Sequence, residues 1–135
     1  MNEDPRLGRL LDYTKFHIGI YLTIFGGMAA AVAAAASKAS ELALFSSLFA
    51  QRWALVPAAI FMAIAGFAGG VIASCCTQEQ SFEHLWSGDQ GPGRYKWWPG
   101  RVWAQLEHGC FWASLAFLVI AVLFSHRVWA WLSGA

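Results

Sequence analysis

The side chains competent for acid–base or ligand chemistry fall into two groups. Asp12 and His17 stand near the amino terminus, while Glu83, His84, Asp89, Glu107 and His108 bracket one later segment. Imidazole and carboxylate together are ligands for divalent metals, and Glu83-His84 and Glu107-His108 each supply both. Adjacent residues on a helix point apart, so each dipeptide offers one ligand, and a site would need His17, His84 and His108 to converge. No metal site is expected on that basis. Two imidazoles suffice for a different group: His17 and His108 on separate helices have the placement that axial ligation of a haem b iron requires. This gives one reading, a membrane anchor subunit of a redox enzyme.

Nothing else in the chain names a reaction. Gly-x-Ser-x-Gly, His-Glu-x-x-His and Gly-x-x-x-x-Gly-Lys are absent, and Gly91-Pro92-Gly93 reads as a turn. The three cysteines, Cys75, Cys76 and Cys110, form no Cys-x-x-Cys pair and are expected as free thiols in a reducing compartment. An enzyme is not expected.

The elements that must position these residues are set by the distribution of charge. Hydrophobic residues make up 58% of the 135 and charged residues 13%, against about 45–50% and about 25% in soluble domains. All nine basic and eight acidic residues lie outside 16–37, 53–78 and 108–126. As helices these runs reach roughly 33, 39 and 28 Å, enough for a hydrocarbon core of about 30 Å. No series of alternating segments could close a barrel. The fold class expected is therefore an all-α integral membrane protein with three transmembrane helices and short interfacial helices.

Residues 1–15 are expected to form an interfacial segment that leads directly into the first span, with Leu7, Leu10 and Leu11 turned to lipid and Arg6, Arg9 and Asp12 to water. The first span covers 16–37, followed by an external loop 38–53 with a surface helix between Ser40 and Phe49. The second span covers 54–76, its helix opening no earlier than a turn before Pro57. A loop at 77–107 carries a helical turn at Ser81–Trp86 and a new helix opening at Pro99. The third span is 108–131, with a tail of 132–135. The eight tryptophans cluster near span ends, as interface residues do. Arg6, Arg9, Lys15, Arg94, Lys96 and Arg101 fall on one side of the membrane and Lys38, Arg52 and Arg127 on the other. The amino terminus is thus expected in the cytoplasm and the carboxyl terminus outside, in a bacterial inner membrane.

No acidic or basic residue lies inside the runs 16–37, 53–78 and 108–126 that form the body of the spans, which argues against coupled transport. A net charge of +1 excludes a nucleic-acid surface. What remains is association. Helices in lipid pack where small residues let backbones approach, and Gly19, Thr23, Gly27 and Ala31 form such a row on the first span, Gly66, Gly70 and Ser74 on the second. The first two spans are expected to pack closely and the third to face lipid. The function expected is that of a small non-enzymatic membrane protein, a homo-oligomer that alters permeability or a subunit of a larger complex. Its partners are the bilayer and either its own copies or another membrane protein.

Overall fold

The computed structural model describes residues 4–36, 51–93 and 95–133. Helix α1 runs Pro5–Ala36, α2 Arg52–Cys76, α3 Phe82–Ser87, α4 Gly100–Leu123 and α5 His126–Ser133; the strand pair β1 Asp89–Gln90 and β2 Trp98–Pro99 lies between α3 and α4. The surface helix expected between Ser40 and Phe49 lies outside the described residues.

Helices α2 and α4 are long and apolar enough to cross a membrane, at 25 and 24 residues, or about 37 and 36 Å. Only 39% and 22% of their most apolar stretches are buried, so their outward faces, with Val56, Ile60 and Phe67 on α2 and Trp112, Val119 and Val122 on α4, expose large apolar side chains. A core helix of a water-soluble bundle would bury that surface.

The seam between α2 and α4 is the most extensive contact in the fold. On α2, Ala54, Ala58, Met62, Ala65, Ala68, Ile72 and Cys76 follow the helical period and are buried; α4 answers with Trp103, Glu107, Cys110, Ser114 and Ala121. Four alanines on one side bring the backbones close enough for Ser114 Oγ to donate to the Ala58 carbonyl at 2.7 Å. The expectation that α4 would be the lipid-facing helix is corrected here: α2 pairs most extensively with α4, and α1 docks on α2.

Two local readings also change. Helix α2 opens at Arg52, five residues ahead of Pro57; a proline so early costs the bond to the Trp53 carbonyl and leaves the rest of the ladder intact. The amino-terminal helix runs directly into the first apolar run, as expected, in one continuous α1 of 32 residues, but its leucines face elsewhere. Leu7 is buried and Leu10 and Leu11 partly so, packed with Ala68, Val71, Ile72, Leu85 and Trp103 instead of lipid. The expected openings near Ser81 and Pro99 are close to those observed. Ser81 caps α3, its hydroxyl accepting from the His84 amide at 3.3 Å, and α4 starts at Gly100. A side chain at Gly100 would put its Cβ 2.3 Å from the Leu85 carbonyl oxygen, so only glycine lets α4 start against α3.

Asp4 ties the two ends of this layer. Its carboxylate accepts from the Arg6 guanidinium and from the Phe82 amide at 3.0 Å, while Arg6 also reaches Glu83 at 2.8 Å. The Arg6 side chain first, then the Phe82 and Arg6 amides, hold the Asp4 carboxyl well below its ordinary 3.8. A lowered carboxyl stabilises the fold fully above its unfolded value and loses that contribution as pH falls through the lowered one, so this tie weakens only in acid below about pH 3.8. Asp4→Asn is expected to speed hydrogen exchange at the Phe82 amide severalfold at neutral pH and leave the Ser114 seam unchanged.

Candidate functional site

Glu107 lies two turns inside α4 and is 1% exposed. Its Oε1 accepts the Tyr21 hydroxyl at 2.8 Å and lies 3.3 Å from His17 Nδ1. Both partners stand on α1, where Tyr13, His17 and Tyr21 recur every fourth residue and so share one face. From α2 comes Gly69: a Cβ there would sit 3.3 Å from Glu107 Oε1 and 3.4 Å from Ile18 Cγ1. The carboxylate therefore rests where only a hydrogen occupies the α2 surface, and three helices meet at one acidic side chain.

His108 continues the cluster toward the bundle end. Its Nδ1 is 2.8 Å from the Ala104 carbonyl, which only accepts, so the neutral ring carries its proton on Nδ1 and accepts the Tyr13 hydroxyl on Nε2 at 2.9 Å. Tyr13 is 46% exposed and Tyr21 3%, which grades the cluster from water to the interior. Phe111 packs beside the His17 and Tyr21 rings, with centroids at 6.1 and 5.2 Å. Among the described residues Glu107 has no Lys or Arg in ion-pair contact; its one such partner is His17.

The structure thus brings His17 and His108 together. The rings meet edge to face with centroids 5.4 Å apart. Both His108 nitrogens are engaged, and His17 Nδ1 faces Glu107. His84 joins neither: it pairs with Glu79, which also accepts from Gln90 and whose carboxyl the His84 hydrogen bond draws below its ordinary range. No group of three His, Cys, Asp or Glu among the described residues is placed to hold a metal ion.

The small-residue rows lie elsewhere. Gly19, Thr23, Gly27, Gly70 and Ser74 are exposed and Gly66 partly so; a Cβ at any of these four glycines would meet nothing within 4 Å. The side chain of Ala31 lies outside those described. The α2 seam uses the neighbouring Ala65 and Gly69 instead.

Gly69 stood, with Ala65 and Ala73, in a second small-residue row beside Gly66 and Gly70, but sequence reading did not single out Tyr13, Tyr21 or the buried position of Glu107. With spans placed on charge-free runs, Glu107 fell one residue outside and the absence of an embedded carboxylate was expected; its burial inside α4 corrects that. The available signal was the Tyr13-His17-Tyr21 face, a hydrogen-bonding stripe leading into an otherwise apolar helix.

Fold and site define a small helical bundle, with two membrane-length helices, closed around a buried carboxylate. Comparison with family models, curated proteins and solved structures returns no match.

Proposed function

We propose that the chain is a three-span integral membrane protein of bacterial inner-membrane type, amino terminus in the cytoplasm and carboxyl terminus outside, that works by self-association. The span additional to α2 and α4 is α1, whose 32 residues reach about 48 Å and carry no charge beyond Lys15. The observation that carries the reading is the outward position of Gly19, Gly27, Gly66 and Gly70, with open space where a Cβ would be. Rows spent on packing within the chain would face a neighbour. In lipid, shallow grooves of this kind let a second helix approach its backbone, where van der Waals contact is the main source of association. The anchor-subunit reading has no such support, since His17 and His108 are committed to each other's neighbours.

Light scattering of the purified chain in detergent tests this. The native protein is expected at a small whole-number multiple of its 14.8 kDa protein mass, and Gly27→Leu and Gly70→Leu are each expected to reduce that multiple. A native monomer would leave association to a different membrane protein; unchanged mass in both variants would remove these rows from the interface.

A further inference from the structure

We propose that Glu107 and His17 form a proton-binding site, filled and emptied from the end of the bundle that carries the amino terminus. This goes beyond self-association and does not depend on it. A carboxylate sunk between helices needs a counter-charge or strong donors, and a purely structural site is best served by arginine, which never gives up its proton. Here the partner is an imidazole, 3.3 Å from the carboxylate oxygen, a group that binds and releases a proton within the ordinary range of pH. With His17 protonated on both ring nitrogens beside the ionised Glu107 carboxylate, Nδ1 facing Oε1, the pair is neutral overall. On release to water the pair carries one negative charge, which the Tyr21 hydroxyl at 2.8 Å stabilises. One proton moves, and no other bond changes.

The surroundings fix the direction of access. Above the pair stand half-buried His108 and exposed Tyr13, hydrogen-bonded to each other, with the Tyr13 ring 4.1 Å from that of His17. Below it Tyr21 packs with Met62, Ala65 and Cys110, and the next polar side chain along α4, Ser114, is spent on the Ala58 carbonyl. The titratable groups facing the pair are Tyr13 and Tyr21 from α1 and His108 and Cys110 from α4; α2 offers Gly69, Ala65 and Met62, none of which titrates. Asp12 and Lys15 flank the site on α1 and are exposed. The geometry points to a site open on one side, not a conduit across the bundle.

The test is a pH titration of the full chain in lipid nanodiscs by nuclear magnetic resonance, following the Glu107 carboxyl carbon and the His17 ring nitrogens between about pH 4 and 9. Both signals are expected to move together with one midpoint. In Glu107→Gln, with helix content checked by circular dichroism, the His17 midpoint is expected to shift by at least one pH unit, a tenfold change in proton affinity. Signals that stay flat across the range, or that move at unrelated pH values in the native chain, would overturn the proposal. So would a His17 midpoint unchanged in Glu107→Gln. Should that variant not fold, the native titration alone decides.

Discussion

Replacing Gly69 with leucine is expected to separate α1 from the α2–α4 pair. The Glu107 carboxylate occupies the space beside Gly69, and even a methyl group would meet its oxygen at 3.3 Å and Ile18 at 3.4 Å. Alanine is tolerable, since neighbours need yield only a few tenths of an ångström, and its helix propensity gains up to about 1 kcal/mol over glycine in return. Leucine adds three more carbons in the same direction. Overpacking of that kind costs about 1–3 kcal/mol, and displacing the carboxylate also breaks its bond from Tyr21, with about 1.5–3 kcal/mol at stake for a hydrogen bond to a charged group. Gly69→Leu is therefore expected to lose about 3 kcal/mol or more, and Gly69→Ala less than about 1. Denaturation in mixed micelles with increasing sodium dodecyl sulfate, followed by circular dichroism, measures both. Equal effects for the two variants would mean that Glu107 does not rest against this glycine.

That contrast marks where the sequence was informative. Apolar runs interrupted by charge were enough to locate α2 and α4, because length and polarity decide which segments lipid can solvate. Ser81 and Pro99 announced the local starts of α3 and α4, because caps act through neighbouring atoms. Glu107 was hidden by the same rule that located α4: a span defined by absence of charge must stop before a carboxylate. Its burial depends on Tyr21 and His17, 86 and 90 residues away, and on a glycine of a third helix. Nor could spacing decide which small row faces inward. Ala65 and Gly69 fit α4 while Gly66 and Gly70, one position on, face out; a row one residue along is turned about 100°. The leucines before the first apolar run have the spacing of a lipid-facing helix and the identical spacing of one docked on protein, and only the position of α2 separates the two.

Trp103→Ala is expected to damage the end of the bundle and spare its middle. Trp103 is 1% exposed, with Phe67 of α2 and Trp97 and Trp98 of the β segment around its ring at centroid distances of 5.9, 6.2 and 5.2 Å. It holds the strand pair onto both long helices at once. Truncating a buried tryptophan to alanine costs about 3–5 kcal/mol, mostly through the cavity left behind. The ring also donates from Nε1 to the Gln90 carbonyl at 3.0 Å, but that oxygen receives the Trp97 amide at 3.0 Å as well. Losing the indole donor therefore leaves no buried acceptor unpaired, and Trp103→Phe, which keeps most of the volume, is expected to cost about 1 kcal/mol. Hydrogen exchange separates the local effect from a global one. In Trp103→Ala, protection should fall at the Trp97 and Gly100 amides, which bond to Gln90 and Gly88, while amides around Ser114 and Ala58 keep theirs. Loss of protection along the whole of α4 would instead make this tryptophan a support of the membrane-length pair, and the strand segment would then be part of what holds the two helices together.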